Sequence, residues 1–272
     1  MKYFFIALVF LGLMSQPVYA SEKIDTILHN RVGGLASRAL DIVEQQLGDR
    51  HGKRIIVDNC AASMEYIRNS NKPILGIGYA DMQFDKENNP CAQKFEEFYG
   101  FLGATPIFLC VKEDNAENAI ERFTNGSVRI GHSDYPLETL KINKFVEQVN
   151  PQATVVPYEN SKSFRVALAA NEIDFIITPT PLDNEYCPIV LSEKLEGNAT
   201  IRGIDILPNS QYSIFLHTLY LFGSNVPHNN DIVNEIVNSE AWKNSTVKNY
   251  KSFMENETLE KQYDHLNNIL IK

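Results

Sequence analysis

The chain has 272 residues, with 25 Lys and Arg against 34 Asp and Glu, a formal net charge of −9, and hydrophobic residues make up 44% of it. An acidic balance of this size argues against nucleic-acid binding and against adhesion to anionic membrane surfaces, because the summed field repels both. It leaves small ligands open, since a local pocket can carry the opposite potential.

The first twenty residues, MKYFFIALVFLGLMSQPVYA, set Lys2 ahead of an apolar run and put Val18 and Ala20 at the small positions of a cleavage site. This is the pattern of a secretory signal peptide cut after Ala20, with 21–272 as the mature chain. Removing Lys2 with it leaves a mature net charge of −10 over 252 residues, enough for one large core or two medium lobes. No later stretch approaches the roughly eighteen apolar residues of a membrane span, so no stable membrane insertion is expected.

KIDTILHN is expected to form a first strand. Gly33-Gly34 then turns the chain into a helix over LASRALDIVEQQLGD, where Leu35, Leu40, Ile42, Val43 and Leu47 recur at helical spacing and Gly48 marks the stop. HGKR reads as a solvated turn, KRIIVDN as a strand, AASMEYIRNS as a helix and KPILGIGY as a strand too apolar for a sheet edge. This alternation predicts a mostly parallel sheet covered on both faces.

From about Phe98 the pattern changes. FYGFLGATPIFLCVK contains two apolar pieces separated by Thr105-Pro106, where the chain is expected to leave one lobe and enter another. There follow a helix at NAENAIERFTNG, a strand SVRIG, a loop HSDYP, a helix LETLKINKFVEQVN, a strand ATVVPY ended by Pro157, a helix SKSFRVALAANE and a strand IDFIITP. Pro179 is expected to begin a return crossing. NATIRGIDILP and YSIFLHTLYLFGS read as strands, with Pro227 opening a helix at HNNDIVNEIVNSEAWKN. In TLEKQYDHLNNILIK, Leu259, Tyr263, Leu266 and Leu270 form one stripe, that of a terminal helix strapped across a lobe. The expected divisions are 21–104 for lobe 1, 105–205 for lobe 2, and 206–272 for a return to lobe 1 with C-terminal helices.

Four cysteines, Cys60, Cys91, Cys110 and Cys187, in a secreted chain permit disulfides, and three complete pairings stay open. A buried free thiol at Cys110, within the apolar PIFLCV, is the competing reading. Asn125, Asn198, Asn244 and Asn256 head N-x-S/T triplets, which matter only in a source that glycosylates secreted proteins.

Signs of catalysis are lacking. The sequence contains no G-x-S-x-G, H-E-x-x-H, G-x-G-x-x-G or phosphate loop, and the six histidines, His29, His51, His132, His217, His228 and His265, are scattered singly. The expectation is a non-enzyme without metal or cofactor. The pattern fits two α/β lobes whose strand-end loops face a crevice, the usual ligand position in open sheets. N–H groups after Gly33 and after Asn59 can converge on one carboxylate if the strands before them are neighbours. The competing reading is that Gly33-Gly34 only permits a tight strand-to-helix turn.

The segment HNRVGGLASRALDIVEQQLGDRHGKRIIVDNCAAS resembles the opening of the periplasmic solute-binding proteins of tripartite tricarboxylate transporters. The likeness continues through FYGFLGATPIFLCV and ATVVPYENSKSFRVALAANEIDFIITP. It implies a bilobal, Venus-flytrap fold of the second periplasmic-binding type, with mostly parallel central sheets and an interlobe cleft. The implied function is capture of a small organic carboxylate for membrane permease subunits, by a monomer free in the periplasm. The resemblance nominates Val32, Gly33, Gly34 and Ser37 in the first loop and Asn59, Ala61, Ala62 and Ser63 in the second. From the second lobe it nominates His132, Ser133, Tyr158 and Thr178. CAAS stands where the family is glycine-rich, a bridge from Cys60 would stiffen the site, and Asp134 would oppose an anion or welcome an amino group. The alternatives are a secreted sensory or protein-interaction member that has lost transport, a binder of amino acids or another anion, and an unrecognised secreted hydrolase.

Overall fold

The computed structural model describes residues 22–29, 34–83, 87–134, 136–192, 194–214, 216–226, 230–245 and 258–268. The expected leader, Val32, Gly33, Pro227 and Leu270 lie outside them.

The first half follows the expected order: β1 (Ile24–Leu28), α1 (Leu35–Leu47), β2 (His51–Ile56), α2 (Cys60–Asn69) and β3 (Ile74–Tyr79). β1 pairs in parallel with β2 on one side and β3 on the other. On α1, Ala36, Ala39, Leu40, Val43 and Leu47 form the buried stripe, and the helix stops at Gly48, whose φ of 53° is a conformation glycine adopts freely. HGKR is part of β2, not a turn. Its Arg54 bonds Glu44 on α1 at 2.7 Å through Nε and Asp41 at 2.5 Å through Nη2. Burial pushes the Glu44 carboxyl up, but hydrogen bonds from Arg54 and Thr26 and the Arg54 charge outweigh it and hold the group below its ordinary value.

β3 is buried along its whole length, because β10 (Leu216–Ser224) covers its far edge in antiparallel register, with Tyr220 opposite Gly78 and Phe222 opposite Gly76. The missing side chains make room for those rings: a Cβ at Gly78 would lie 2.4 Å from the Tyr220 ring.

FYGFLGATPIFLCVK forms one strand, β4 (Phe98–Lys112), not two pieces. Up to Pro106 it pairs with β10, and from Ile107 it pairs with β7 (Phe175–Thr178) and β8 (Glu185–Leu191), all antiparallel. Pro106 falls where one set of partners gives way to the other, a position at which a missing N–H opens no gap in a continuous ladder. A single strand therefore belongs to both lobes. Register shifts near Gly100 and Gly103, with φ of 134° and 154°, bend its first half.

The second lobe contains α3 (Ala119–Asn125), β5 (Arg129–Ser133), α4 (Pro136–Val149), β6 (Thr154–Tyr158) and α5 (Ser161–Ala169) before β7. β6, β5 and β7 are mutually parallel, and antiparallel β4 and β8 make the sheet mixed. Four local expectations change. His132 and Ser133 belong to β5 and not to a loop. β6 runs through Pro157 to Tyr158, tolerated because β6 lies at the end of the sheet. Pro179 does not start a return crossing, since the chain first adds β8, which the sequence reading missed because Pro188 interrupts its apolar run. NATIRGIDILP supplies only the two-residue β9 (Ile201–Arg202) and then the short α6 (Gly203–Ile206).

After β10 come α7 (Asn230–Asn238), α8 (Glu240–Lys243) and α9 (Leu259–Asn268). The helix expected over HNNDIVNEIVNSEAWKN breaks at Ser239, whose side chain caps α8 by accepting the Trp242 N–H at 3.1 Å. Leu259 and Tyr263 of α9 pack on the first core, and the side chain of Leu266 lies outside the described residues.

One core gathers β1, α1, β3, the start of β4, β10, α7 and Trp242, and two clusters cover the faces of the second sheet. Leu137 at the start of α4 crosses over: it belongs to the second lobe by chain order but packs in the first core, 1% exposed. All four cysteines are bridged. Cys60 at the start of α2 joins Cys91, and Cys110 of β4 joins Cys187 of β8, so Cys110 is not a free thiol. No helix among the described residues is long and apolar enough to cross a membrane.

Candidate functional site

The parallel order β2-β1-β3 puts the starts of α1 and α2 at one end of the first sheet, and β6-β5-β7 does the same for α4 and α5 in the second. Between the lobes lies a cavity of about 620 Å³. Gly34, Leu35 and Arg38 of α1 form its first-lobe wall. Thr105, Pro106 and Phe108 of the shared strand lie behind it, and Ser161 and Arg165 of α5, the turn Pro179–Glu185 and Glu196–Asn198 complete it.

The helix starts differ in how their N–H groups are satisfied. α2 is capped by Asn59, whose side chain accepts the Ala62 N–H at 2.9 Å. α5 is capped by Asn160, which accepts from Lys162 and Ser163, both at 3.1 Å. α1 begins at Gly34, which offers no side-chain cap of its own, and has no acidic residue in its first turn, where the Ala36 N–H donates to the Tyr79 hydroxyl at 3.1 Å. A helix start with no acidic group of its own favours negative charge. One turn on, Arg38 is exposed to the cavity and has no acidic partner among the described residues.

The second cation is committed. Arg165 Nε donates to Glu185 at 2.7 Å, and its Nη2 reaches the Thr180 carbonyl at 2.6 Å and Thr178 Oγ1 at 3.3 Å. Glu185 is 4% exposed in its side chain and also accepts the Leu182 N–H at 2.8 Å. The pair is a neutral unit that fixes the turn after β7.

At the back of the cavity, the Thr105 hydroxyl donates to the Pro179 carbonyl at 3.2 Å, and Thr105 lies opposite His217 of β10. The His217 ring packs at a tilt against Tyr79, and burial lowers its pKa to about 4, so it is neutral here. Among the described residues no group of three or more His, Cys, Asp or Glu is placed to hold a metal ion.

Of the described candidates nominated from sequence, Gly34 alone lines this cavity. Ser37 is buried on the core side of α1. Asn59 acts as a cap, and Ala61 and Ala62 are half-buried on α2. Ser63 is wholly buried and its Oγ has no hydrogen-bond partner. His132 is likewise buried: Nδ1 donates to the Ser133 carbonyl at 2.6 Å, which leaves Nε2 the bare nitrogen, and that atom is unpartnered. Burial lowers the His132 pKa, against smaller opposing effects of the Ser133 carbonyl and Asp134. Ser133 and Tyr158 face each other across the β5–β6 pair, at the strand ends. Thr178 stands behind the wall, accepting from Arg165 and from the Thr180 N–H at 3.2 Å. Asp134 is exposed, away from the cavity lining. Arg38, Thr105, Ser161, Arg165 and the 179–185 turn were not anticipated. Only Arg38 carried a signal, as a cation one helical turn beyond Gly34.

No protein-family model and no curated protein matches the sequence. Solved structures do share its fold. One described as a periplasmic transporter is similar with a TM-score of 0.60 at 16% identity, over 93% of this chain and 98% of its own. An R. palustris protein solved with adipate gives 0.67 at 14% identity, over 93% and 95%. MatC from Rhodopseudomonas palustris, with bound malate, gives 0.57 at 10% identity, over 93% and 100%. The chain has the bilobal α/β fold of periplasmic binding proteins, with a curled mixed sheet and flanking helices.

Proposed function

We propose that this protein is an extracytoplasmic solute-binding protein that captures a small organic carboxylate between its lobes and presents it to permease subunits of a tripartite tricarboxylate-type transporter. The observation that carries this reading is the first-lobe wall of the interlobe cavity, where the start of α1, with no acidic residue in its first turn, stands beside Arg38, which has no acidic partner among the described residues. A carboxylate there meets both the helix dipole and a charge-assisted hydrogen-bond donor. The resemblance of the first loop supports it, as do fold neighbours solved with adipate and malate.

On this reading the first loop, Val32, Gly33 and Gly34, binds the anion, whereas the polar atoms of Ser63 and His132, buried away from the cavity lining, are ones that an ordered water would satisfy. The second lobe closes by rotation about the strands that connect the lobes, at Thr105–Pro106 on β4 and Leu216–His217 on β10. Residues 1–20 direct export to the periplasm and are removed. Residues 21–104 and 206–272 form the first lobe, and 105–205 the second.

The test is thermal unfolding of the mature protein against di-, tri- and monocarboxylates, since a ligand of the native state raises the midpoint once its concentration exceeds Kd. A rise of several degrees for a carboxylate, lost in Arg38→Gln with the ligand-free midpoint unchanged, is the expected result. A flat response across the panel overturns carboxylate capture and favours the interaction-protein alternative.

A further inference from the structure

The helix α4 serves two cores. Ile142, Phe145 and Val146 pack in the core of the second lobe, whereas Leu137, one residue into the helix, is 1% exposed and packs in the first core, to which Ala80 and Met82 also belong. Those two residues lie on the short 3-10 turn Ala80–Gln83 that follows β3, and α4 lies against that turn. Both partners stand at strand ends that face the cleft, since α4 follows the end of β5 and the turn follows the end of β3. Leu137 therefore reaches across from one lobe to the other, and Leu137, Ala80 and Met82 all lie outside the cavity lining.

Each side of this contact is anchored within its own lobe. In the first lobe the Gln83 side-chain amide donates to Gln93 Oε1, and the Gln93 amide donates to the Cys91 carbonyl at 2.6 Å and to Met64 Sδ at 3.3 Å. Cys91 is in turn bridged to Cys60 at the start of α2. In the second lobe the Asp134 N–H donates to the Tyr158 carbonyl at 2.8 Å just before α4 begins, and the fully buried Ile142 and Phe145 hold the rest of the helix. With both sides anchored, rotation of the lobes about Thr105–Pro106 and Leu216–His217 withdraws Leu137 from the first core. Exposing a buried leucine shifts an equilibrium by about tenfold to a hundredfold.

We propose that Leu137 is an apolar latch that holds the two lobes together whether or not a solute is bound. It makes the closed form the resting state of the free protein, and solute entry and release wait for the latch to disengage. Leu137 is a positioning residue: it sets the separation of the lobes without touching the solute. The proposal stands on the two-lobe fold and goes beyond carboxylate capture, on which it does not depend.

The experiment is pulsed dipolar EPR on the solute-free mature protein, spin-labelled through Glu65→Cys on α2 and Asn143→Cys on α4, both exposed positions. The labelled protein with Leu137 intact should show one dominant short interlobe distance. Leu137→Ala should raise the open-to-closed ratio about tenfold or more, seen as a second population at longer distance. Leu137→Met, which nearly conserves volume, should keep the short distance, and Leu137→Val should fall between the two and gives the same readout if the alanine variant does not fold. A merely structural role would lower the unfolding midpoint and leave the interlobe distance where it was. That result overturns the latch, as does a labelled protein that is already mostly open with Leu137 intact. Because no solute is present, a flat carboxylate panel leaves this outcome readable, and an unmoved distance leaves carboxylate capture standing.

Discussion

Tyr79 and His217 pack at a tilt of 53° with ring centroids 4.7 Å apart, and the Tyr79 hydroxyl accepts the Ala36 N–H at 3.1 Å. The contact ties the first turn of α1, beside Arg38, to β10 at the point where β10 lies opposite Thr105. Tyr79→Phe keeps the ring contact and removes the acceptor, leaving a buried N–H unsatisfied at a cost of about 1–3 kcal/mol. Urea unfolding should show a lower midpoint with an unchanged m-value, and an unchanged midpoint would mean that Ala36 finds another acceptor.

Acid should unfold the protein partly through two histidines. Burial lowers both His29 and His217 from 6.5 to about 4. The unfolded chain therefore takes up protons near pH 6.5 that the folded chain refuses until about pH 4. Their contribution is fully present above pH 6.5 and is lost as pH falls through that window, by about 3 kcal/mol per group. His217→Gln should flatten the fall in unfolding free energy between neutral pH and pH 4, measured by urea titration at each pH. An equal slope in wild type and variant would show that His217 protonates without penalty.

The Arg165–Glu185 pair should behave as a buried unit. Arg165→Met leaves Glu185, with a 4% exposed side chain, charged and unpaired, at a cost of about 3–5 kcal/mol. Arg165→Met/Glu185→Leu removes both charges and should recover most of that loss. A double variant no more stable than Arg165→Met would mean that the Leu182 and Thr180 contacts matter more than the charges. Both variants should also loosen the turn that carries Asp183, which proteolysis at 179–185 would report.

The two disulfides should differ in accessibility. Cys110 and Cys187 are completely buried, whereas Cys60 is half-buried at the start of α2. Graded dithiothreitol followed by alkylation and mass mapping should find Cys60–Cys91 opened first. The bridges span 31 and 77 residues in sequence, so losing either should destabilise by a few kcal/mol, about 4 on chain-entropy grounds. Simultaneous labelling of all four cysteines would point instead to global unfolding as the route to reduction.

The legible part of the fold was the part written in short periods. The stripe of α1 reports one buried face, and the apolar runs of β3 and β5 report strands buried on both, each within a dozen residues. The two-lobe division was legible as well, because the strand-helix pattern restarts after Lys112. Misread segments were those where a local signal yields to a neighbour. Pro106, Pro157 and Pro188 each suggest a break, yet all three lie within strands, at a change of ladder partner, on the outer strand, and between long-range partners respectively. The site divided in the same way. Gly34 was visible because glycine at a helix start has a local conformational meaning. Arg165 and Glu185 lie 20 residues apart with no pattern joining them, and the cap that Asn59 places on α2 was visible only as a possible anion site.

The sequence by itself determined the element order from β1 to β3 and the strand-helix alternation of the second lobe, the acidic balance, the secretory leader as an expectation and the face of α1 that must be buried, because hydrophobic periodicity and terminal signals act through near neighbours in the chain. The tertiary structure alone decided which cysteines pair, that one strand serves both lobes, and which of two cleft arginines keeps its charge free. Those outcomes depend on distances between groups remote in sequence: a guanidinium 2.7 Å from a buried carboxylate is spent, and one with no acidic neighbour among the described residues remains able to hold an anion.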